Sequence, residues 1–253
     1  MRAKLYLCAA SIVLAGCGGG RVERAETAAF QPAQLADIGA AAFEQLKAKR
    51  PMSADYAQQR LARCVAERLV ETLPAEDDAD AWEVLVFDDD GDLAFALPGA
   101  RIGVKSGLLL ATKREDQLAA AIAHSLAHLL LGHVEKRVAS AMNADTAEMA
   151  AQIFRGDQGP SQSKTLFSLL GLGDQVAQPA PYSGSQESQA EARAAELLIA
   201  SGYGNAEQAP VRWRGAAAEP SQWRALHPVP DDWQRDVDVE IGVSFASPCA
   251  SSD

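Results

Sequence analysis

Residues 115–138 constrain this chain more than any other stretch. Leu118, Ala121, Ile122, Leu126, Leu129, Leu130 and Leu131 run round most of a helical pattern, so the segment reads as one long helix that other elements must cover. It carries His124 and His128 into that apolar surround. At about 100° per residue the two histidines lie about 40° apart and share a face. Buried imidazoles need partners. One shared metal ion would satisfy both, and so would ordinary hydrogen bonds between core histidines. His133 lies about 140° further round a continuous helix, so it cannot join the pair and reads as a surface or helix-end residue.

The run His124-Ser125-Leu126-Ala127-His128 has the histidine spacing of the zinc-binding H-E-x-x-H helix, in which the Glu activates a metal-bound water. Here the Glu position is Ser125. Glu187 and Glu191 stand one turn apart on a predicted helix over 187–201, which Gly202 ends. One carboxylate would complete a two-His, one-Glu zinc site and leave a place for water. The other would hydrogen-bond a ligating histidine. A solvated acidic face is the ordinary alternative for such a pair.

The N-terminus reads as an export signal. Arg2 and Lys4 precede a short apolar run, Leu5 to Leu14, too short to anchor stably across a bilayer. Leu14-Ala15-Gly16-Cys17 resembles a bacterial lipobox. That gives residues 1–16 as a signal peptide, Cys17 as the lipidated mature terminus and 17–31 as a tether; a chance apolar start with a cysteine is the alternative. Gly18 stands where an Asp usually marks inner-membrane retention, so the periplasmic face of the outer membrane is the expected destination. No later segment approaches the roughly twenty apolar residues of a transmembrane helix. The body is expected to be soluble and attached through its N-terminal lipid. About 235 residues remain after cleavage, enough for one domain, taken as 32–248. The formal charge of -11 argues against a nucleic-acid partner and weakens flat docking on anionic lipid.

Cys8 leaves with the signal, so Cys64 and Cys249 remain. In an oxidising compartment two thiols suggest a structural disulfide between an early helix and the C-terminal tail. A buried Cys64 with a free Cys249 is the alternative.

Further helices are predicted over 32–49 and 54–72, with a short one over 107–111. Strands are predicted over 82–87, 93–97 and 101–105. The acidic run 88–92 faintly resembles a calcium loop but lacks the later bidentate Glu, so it reads as a hairpin turn. Residues 139–154 read as helical and 155–183 as a Gly/Ser/Gln/Pro-rich lid or plug. The fold class is α+β, mostly helical, with one small sheet.

Several motifs in order resemble the zinc metallopeptidases of the HtpX, BepA and CAAX prenyl protease type. The run Ala94-Phe95-Ala96-Leu97-Pro98-Gly99 is similar to their edge strand and turn. Ser106-Gly107-Leu108-Leu109 and Glu115-Asp116-Gln117-Leu118-Ala119 resemble the lead-in, and Gly132-His133-Val134 the continuation of the metal helix. Tyr182-Ser183 with Glu187 to Tyr203 resembles the third-ligand helix, and His227-Pro228 the late His-Pro motif. The resemblance implies a zincin-like (gluzincin) domain with one Zn2+ held by His124, His128 and Glu187. It implies that Glu191 supports the metal helix and that His227 lies near the site. The chain departs from the pattern at Ser125 for Glu, Gly184 for Arg and Glu191 for Asp.

A serine hydroxyl is a poor base, and positioned acid–base catalysis is worth about a hundred- to ten-thousandfold. One expectation is thus a catalytically impaired envelope lipoprotein that grips polypeptide clients or envelope proteins as a quality-control scaffold, by strand pairing at 94–97. The alternatives are an active zinc endopeptidase cleaving misfolded envelope proteins, with its base drawn from Glu187, Glu191 or the 155–183 loop, and a metal-free structural lipoprotein.

Overall fold

Short apolar runs build three strands among the described residues, β1 (Glu83–Phe87) and β3 (Arg101–Lys105) with alternating β-branched residues and β2 (Ala94–Leu97) around Phe95. The computed structural model describes residues 32–74, 81–141, 170, 172, 181–204, 221–228 and 248–249. Helices α1 (Pro32–Lys49) and α2 (Tyr56–Val70) precede the sheet; α3 (Ser106–Ala111), α4 (Glu115–Leu130), α5 (His133–Ala141), α6 (Gly184–Ala200) and α7 (Gln222–Leu226) follow it. The domain is α+β and mostly helical with a single small sheet. The signal, Cys17 and the tether lie outside the described residues, as do nearly all of 139–183.

The strand order is β1-β3-β2, with β1 parallel and β2 antiparallel to β3. The expected hairpin at 88–92 is therefore absent, because β3 lies between the two strands that this turn connects. The turn instead places Asp92, buried and accepting from Ser221 Oγ (2.6 Å), Gln222 N (2.8 Å) and Trp223 N (3.2 Å). One carboxylate thus fastens the start of α7 to the sheet.

Both outer strands are closed. Val86 on β1 donates its N–H to Gln59 Oε1 (2.9 Å) and accepts from Gln59 Nε2 (2.9 Å), so a side-chain amide from α2 stands in for a neighbouring strand. Ser53 N also donates to Val86 O (2.9 Å). On the other side all four residues of β2 are 5 % exposed or less, which leaves no open edge for the strand pairing expected at 94–97.

The expected long helix is two. Gly132 adopts φ +66°, a conformation costly for any residue with a Cβ, and the axis bends by 58° between α4 and α5. α4 is the central element: it packs against α6, β2 and α2, and Leu118, Ile122 and Leu126 are almost wholly buried. No single described helix is long and apolar enough to cross a membrane.

A disulfide joins Cys64 on α2 to Cys249. The Cys249 N–H donates to Glu115 Oε1 (3.0 Å), which also accepts from Tyr203 Oη (2.6 Å). Glu115 opens α4, where the helix dipole favours a carboxylate, so the tail, α6 and α2 all converge on the start of this helix.

Candidate metal centre

α4 presents His124 and His128 on one face, 6 % and 1 % exposed. Their Nε2 atoms approach to 3.1 Å. Glu187 comes from the first turn of α6, where Ser183 and Gln186 form a capping box and the helix dipole favours an anion. Its Oε2 lies 3.1 Å from His124 Nε2, and its Oε1 lies 3.6 Å from His128 Nε2 and 3.3 Å from His227 Nδ1. His227 follows α7, the helix that Asp92 fastens. His124, His128, Glu187 and His227 each offer one ligand atom, all within 4.8 Å of one another.

Glu191, one turn beyond Glu187, places Oε2 3.6 Å from His124 Nδ1. It therefore stands behind a ring whose other nitrogen faces the cluster, as a supporting carboxylate would.

A straight helix would carry His133 away from the pair. The bend at Gly132 returns it: it is 1 % exposed, with Nδ1 3.1 Å from His128 Nδ1 and Nε2 3.0 Å from Gln189 Oε1. Gln189 Oε1 only accepts, so His133 donates from Nε2 and accepts at Nδ1 from His128. That tautomer leaves the His128 Nε2 lone pair facing the cluster. Tyr182 stacks on His128 with ring centroids 3.6 Å apart, and Trp223 lies 4.3 Å from His227 and 5.5 Å from His124. Sequence reasoning missed His133, Gln189 and Trp223. Gly132 was the available signal for the first, as a helix-ending glycine.

Burial is the largest influence on each clustered histidine and disfavours charge. At His124 the carboxylates of Glu187 and Glu191 outweigh it and raise the imidazole above its ordinary value. At His128 burial prevails and pushes it down to about 2, and at His227 to about 4. Burial would raise Glu187, but its hydrogen bonds to the three histidines hold it well below the usual carboxylate range. Neutral imidazoles and an ionised carboxylate are the ligating forms.

The donor set of three nitrogens and one carboxylate fits Zn2+. His227 Nε2 is buried with no hydrogen-bond partner among the described residues, and two imidazole Nε2 atoms face each other; a cation would suit both.

Ser125 is buried beside this cluster but is not part of it. Its hydroxyl lies 3.0 Å from the carbonyl of Ala94 and 3.0 Å from that of Ala121, so its proton serves backbone oxygens of β2 and α4. Gly184, where the resemblance would put an Arg, has open space around its Cα.

Two comparisons with known proteins bear on this geometry. A 58-residue stretch is 41 % identical to the mitochondrial metalloendopeptidase OMA1 of Schizosaccharomyces pombe, covering 23 % of this chain and 17 % of that relative. A sequence model of peptidase family M48, whose members are zinc metallopeptidases, matches residues 56–233, from α2 to beyond His227. With that match spanning most of its length and the helix pair that carries the histidines and glutamates at its centre, the chain belongs to peptidase family M48.

Proposed function

We propose that this protein is a zinc-binding, non-cleaving member of its family, exported, lipidated at Cys17 and held at the periplasmic face of the outer membrane as a quality-control scaffold for polypeptide clients. The observation that carries the reading is the bonding of Ser125: the position of the general base holds a hydroxyl committed to backbone carbonyls. Bound zinc would polarise a carbonyl and acidify a water. His124, His128 and Glu187 would hold the ion, and His133 and Glu191 would orient the two rings from behind. His227 offers a fourth protein ligand where a catalytic site keeps an open place. No group in this set takes a proton from water, since Glu187 is engaged by three histidines and Glu191 faces His124 Nδ1.

Family membership favours a second reading, an active endopeptidase. It requires a base from residues beyond those described. Metal analysis and cleavage assays separate the two. One zinc per chain, lost in His124→Ala, with casein and an unfolded outer-membrane protein bound but intact, is the expected result. Ser125→Glu should then introduce cleavage. Cleavage by the unaltered protein that stops in His124→Ala would establish the endopeptidase instead, and a protein that binds no zinc would sink both.

A further inference from the structure

α7 is five residues long, and so short a helix does not hold its own shape in water. It nevertheless buries Trp223 and delivers His227 to the histidine–glutamate cluster. Its place is therefore set from outside. At one end the Leu226 carbonyl accepts from Tyr182 N (3.1 Å). At the other stands Asp92, which takes the Ser221 hydroxyl on one oxygen and the N–H groups of Gln222 and Trp223 on the other. The first N–H groups of a helix find no acceptor within it, so this carboxylate supplies one from another part of the chain. Ser221, its proton given to Asp92, accepts from Arg224 N (3.2 Å), so one carboxylate organises the whole first turn.

The carboxylate stands on a firm base. Next to it Leu93 O accepts from Lys105 N (2.9 Å), beside the β2–β3 pair. Lys105 Nζ lies 3.3 Å from Asp89 Oδ2 and 2.6 Å from Gln222 Oε1. Asp89 N donates to Ser106 Oγ (3.0 Å), and the Asp89 carbonyl accepts from Gly107 N (2.9 Å). A Cβ on Gly91 would lie 2.3 Å from Gln222 Oε1, and one on Gly107 2.1 Å from the Asp90 carbonyl oxygen. Residues 88–92 are thus pressed between α3 and α7. From Asp92 the path to the cluster is one turn of helix: the Trp223 carbonyl accepts from His227 N (2.8 Å), and His227 Nδ1 faces Glu187 Oε1.

We propose that Asp92 is a positioning residue of the metal centre: capping α7 from the sheet, it fixes where His227 meets Glu187. Removing the carboxylate takes an acceptor from three donors at the start of α7, and the helix loses its reference to the sheet. The link to zinc rests on the zinc-binding reading above; the placement of His227 does not.

The test is modification of the purified full chain by diethyl pyrocarbonate, read histidine by histidine by mass spectrometry, with zinc affinity measured beside it. The four histidines of the chain, His124, His128, His133 and His227, are all buried at this centre, so each reports on it. Asp92→Ala should raise the rate at His227 roughly tenfold or more and leave His128 and His133 protected, because a lost cap opens α7 locally. Asp92→Asn keeps an oxygen for the backbone N–H groups and should fall between the two; it also stands in should the alanine variant fail to fold. Zinc affinity in a chelator competition should fall about ten- to a hundredfold in Asp92→Ala, and no further when His227→Ala is added. The proposal is overturned if His227 stays protected in both Asp92 variants, if all four histidines become reactive together as a merely structural role would have it, or if the two substitutions weaken zinc additively. An unaltered protein without zinc would instead sink the zinc-binding reading, and reactivity at His227 alone would then decide the role of Asp92.

Discussion

The Ser125 hydroxyl ties α4 to the Ala94 carbonyl of β2, at a position where a carboxylate would do acid–base work. The two roles are separable. Ser125→Ala should cost about 1 kcal/mol of stability in a denaturant titration, the net worth of one hydrogen bond, and leave zinc content at that of the unaltered protein. Behind the cluster, His133 and Gln189 form a two-step relay that fixes the His128 ring. His133→Phe and Gln189→Ala should each weaken zinc affinity about ten- to a hundredfold in a chelator competition, the usual effect of losing an outer-shell partner. Unchanged affinity in both would show that the ring is held by Tyr182 stacking alone. The histidine pair, Ser125, the two glutamates and His227 were all legible in the sequence, through spacing and motif order. His133 was not, because its place depends on a backbone angle rather than on a period.

At the scale of elements, that angle belongs to Gly132. Helical periodicity runs through residues 115–138 without interruption, so it predicted one helix; the break is set by a single residue at φ +66°. Gly132→Ala should destabilise the domain by about 1–2 kcal/mol, the cost of a left-handed conformation for a residue with a Cβ, and should lower zinc affinity as well by moving His133. Thermal unfolding and the same chelator competition measure the two effects. Strand positions were legible within a residue, because short apolar runs bounded by turn residues mark all three, with β-branched residues alternating in β1 and β3. Strand order was not: the short 88–92 connection resembled a hairpin, and only the pairing of β3 with both neighbours shows that it joins strands that never meet. The same connection titrates. The Asp89 carboxyl is held below its ordinary 3.8, so its contribution to stability is complete above that pH and is lost as the pH falls through the lower folded value. Asp89→Asn should therefore be less stable than the unaltered protein at neutral pH, and the gap should close only below about pH 3.8.

Across the whole molecule, the Cys64–Cys249 bond closes a loop of 185 positions and brings the tail to Glu115 at the head of α4. Cross-linking so long a loop restricts the unfolded chain strongly, and Cys64→Ser should lower stability by about 2–5 kcal/mol. A chemical-denaturation midpoint unchanged by reductant would show that the buried Glu115–Tyr203 contact suffices. The cysteine pair itself could be read from the count of thiols, but not its role of fastening the tail against the metal helix, since that depends on Tyr203 and Glu115 meeting from opposite parts of the chain.

The closed margins of the sheet bear on the company this protein would keep. Unfolded polypeptides polymerise on exposed strand backbones, and under the proposed scaffold role a protein that met them with such a margin would be recruited into their aggregates. Gln59 offers its amide to Val86 in place of a foreign strand, and the backbone of residues 51–53 covers the rest of that margin. Under that proposal clients would be held by side chains and pockets, and could be released without the protein having shared its own backbone.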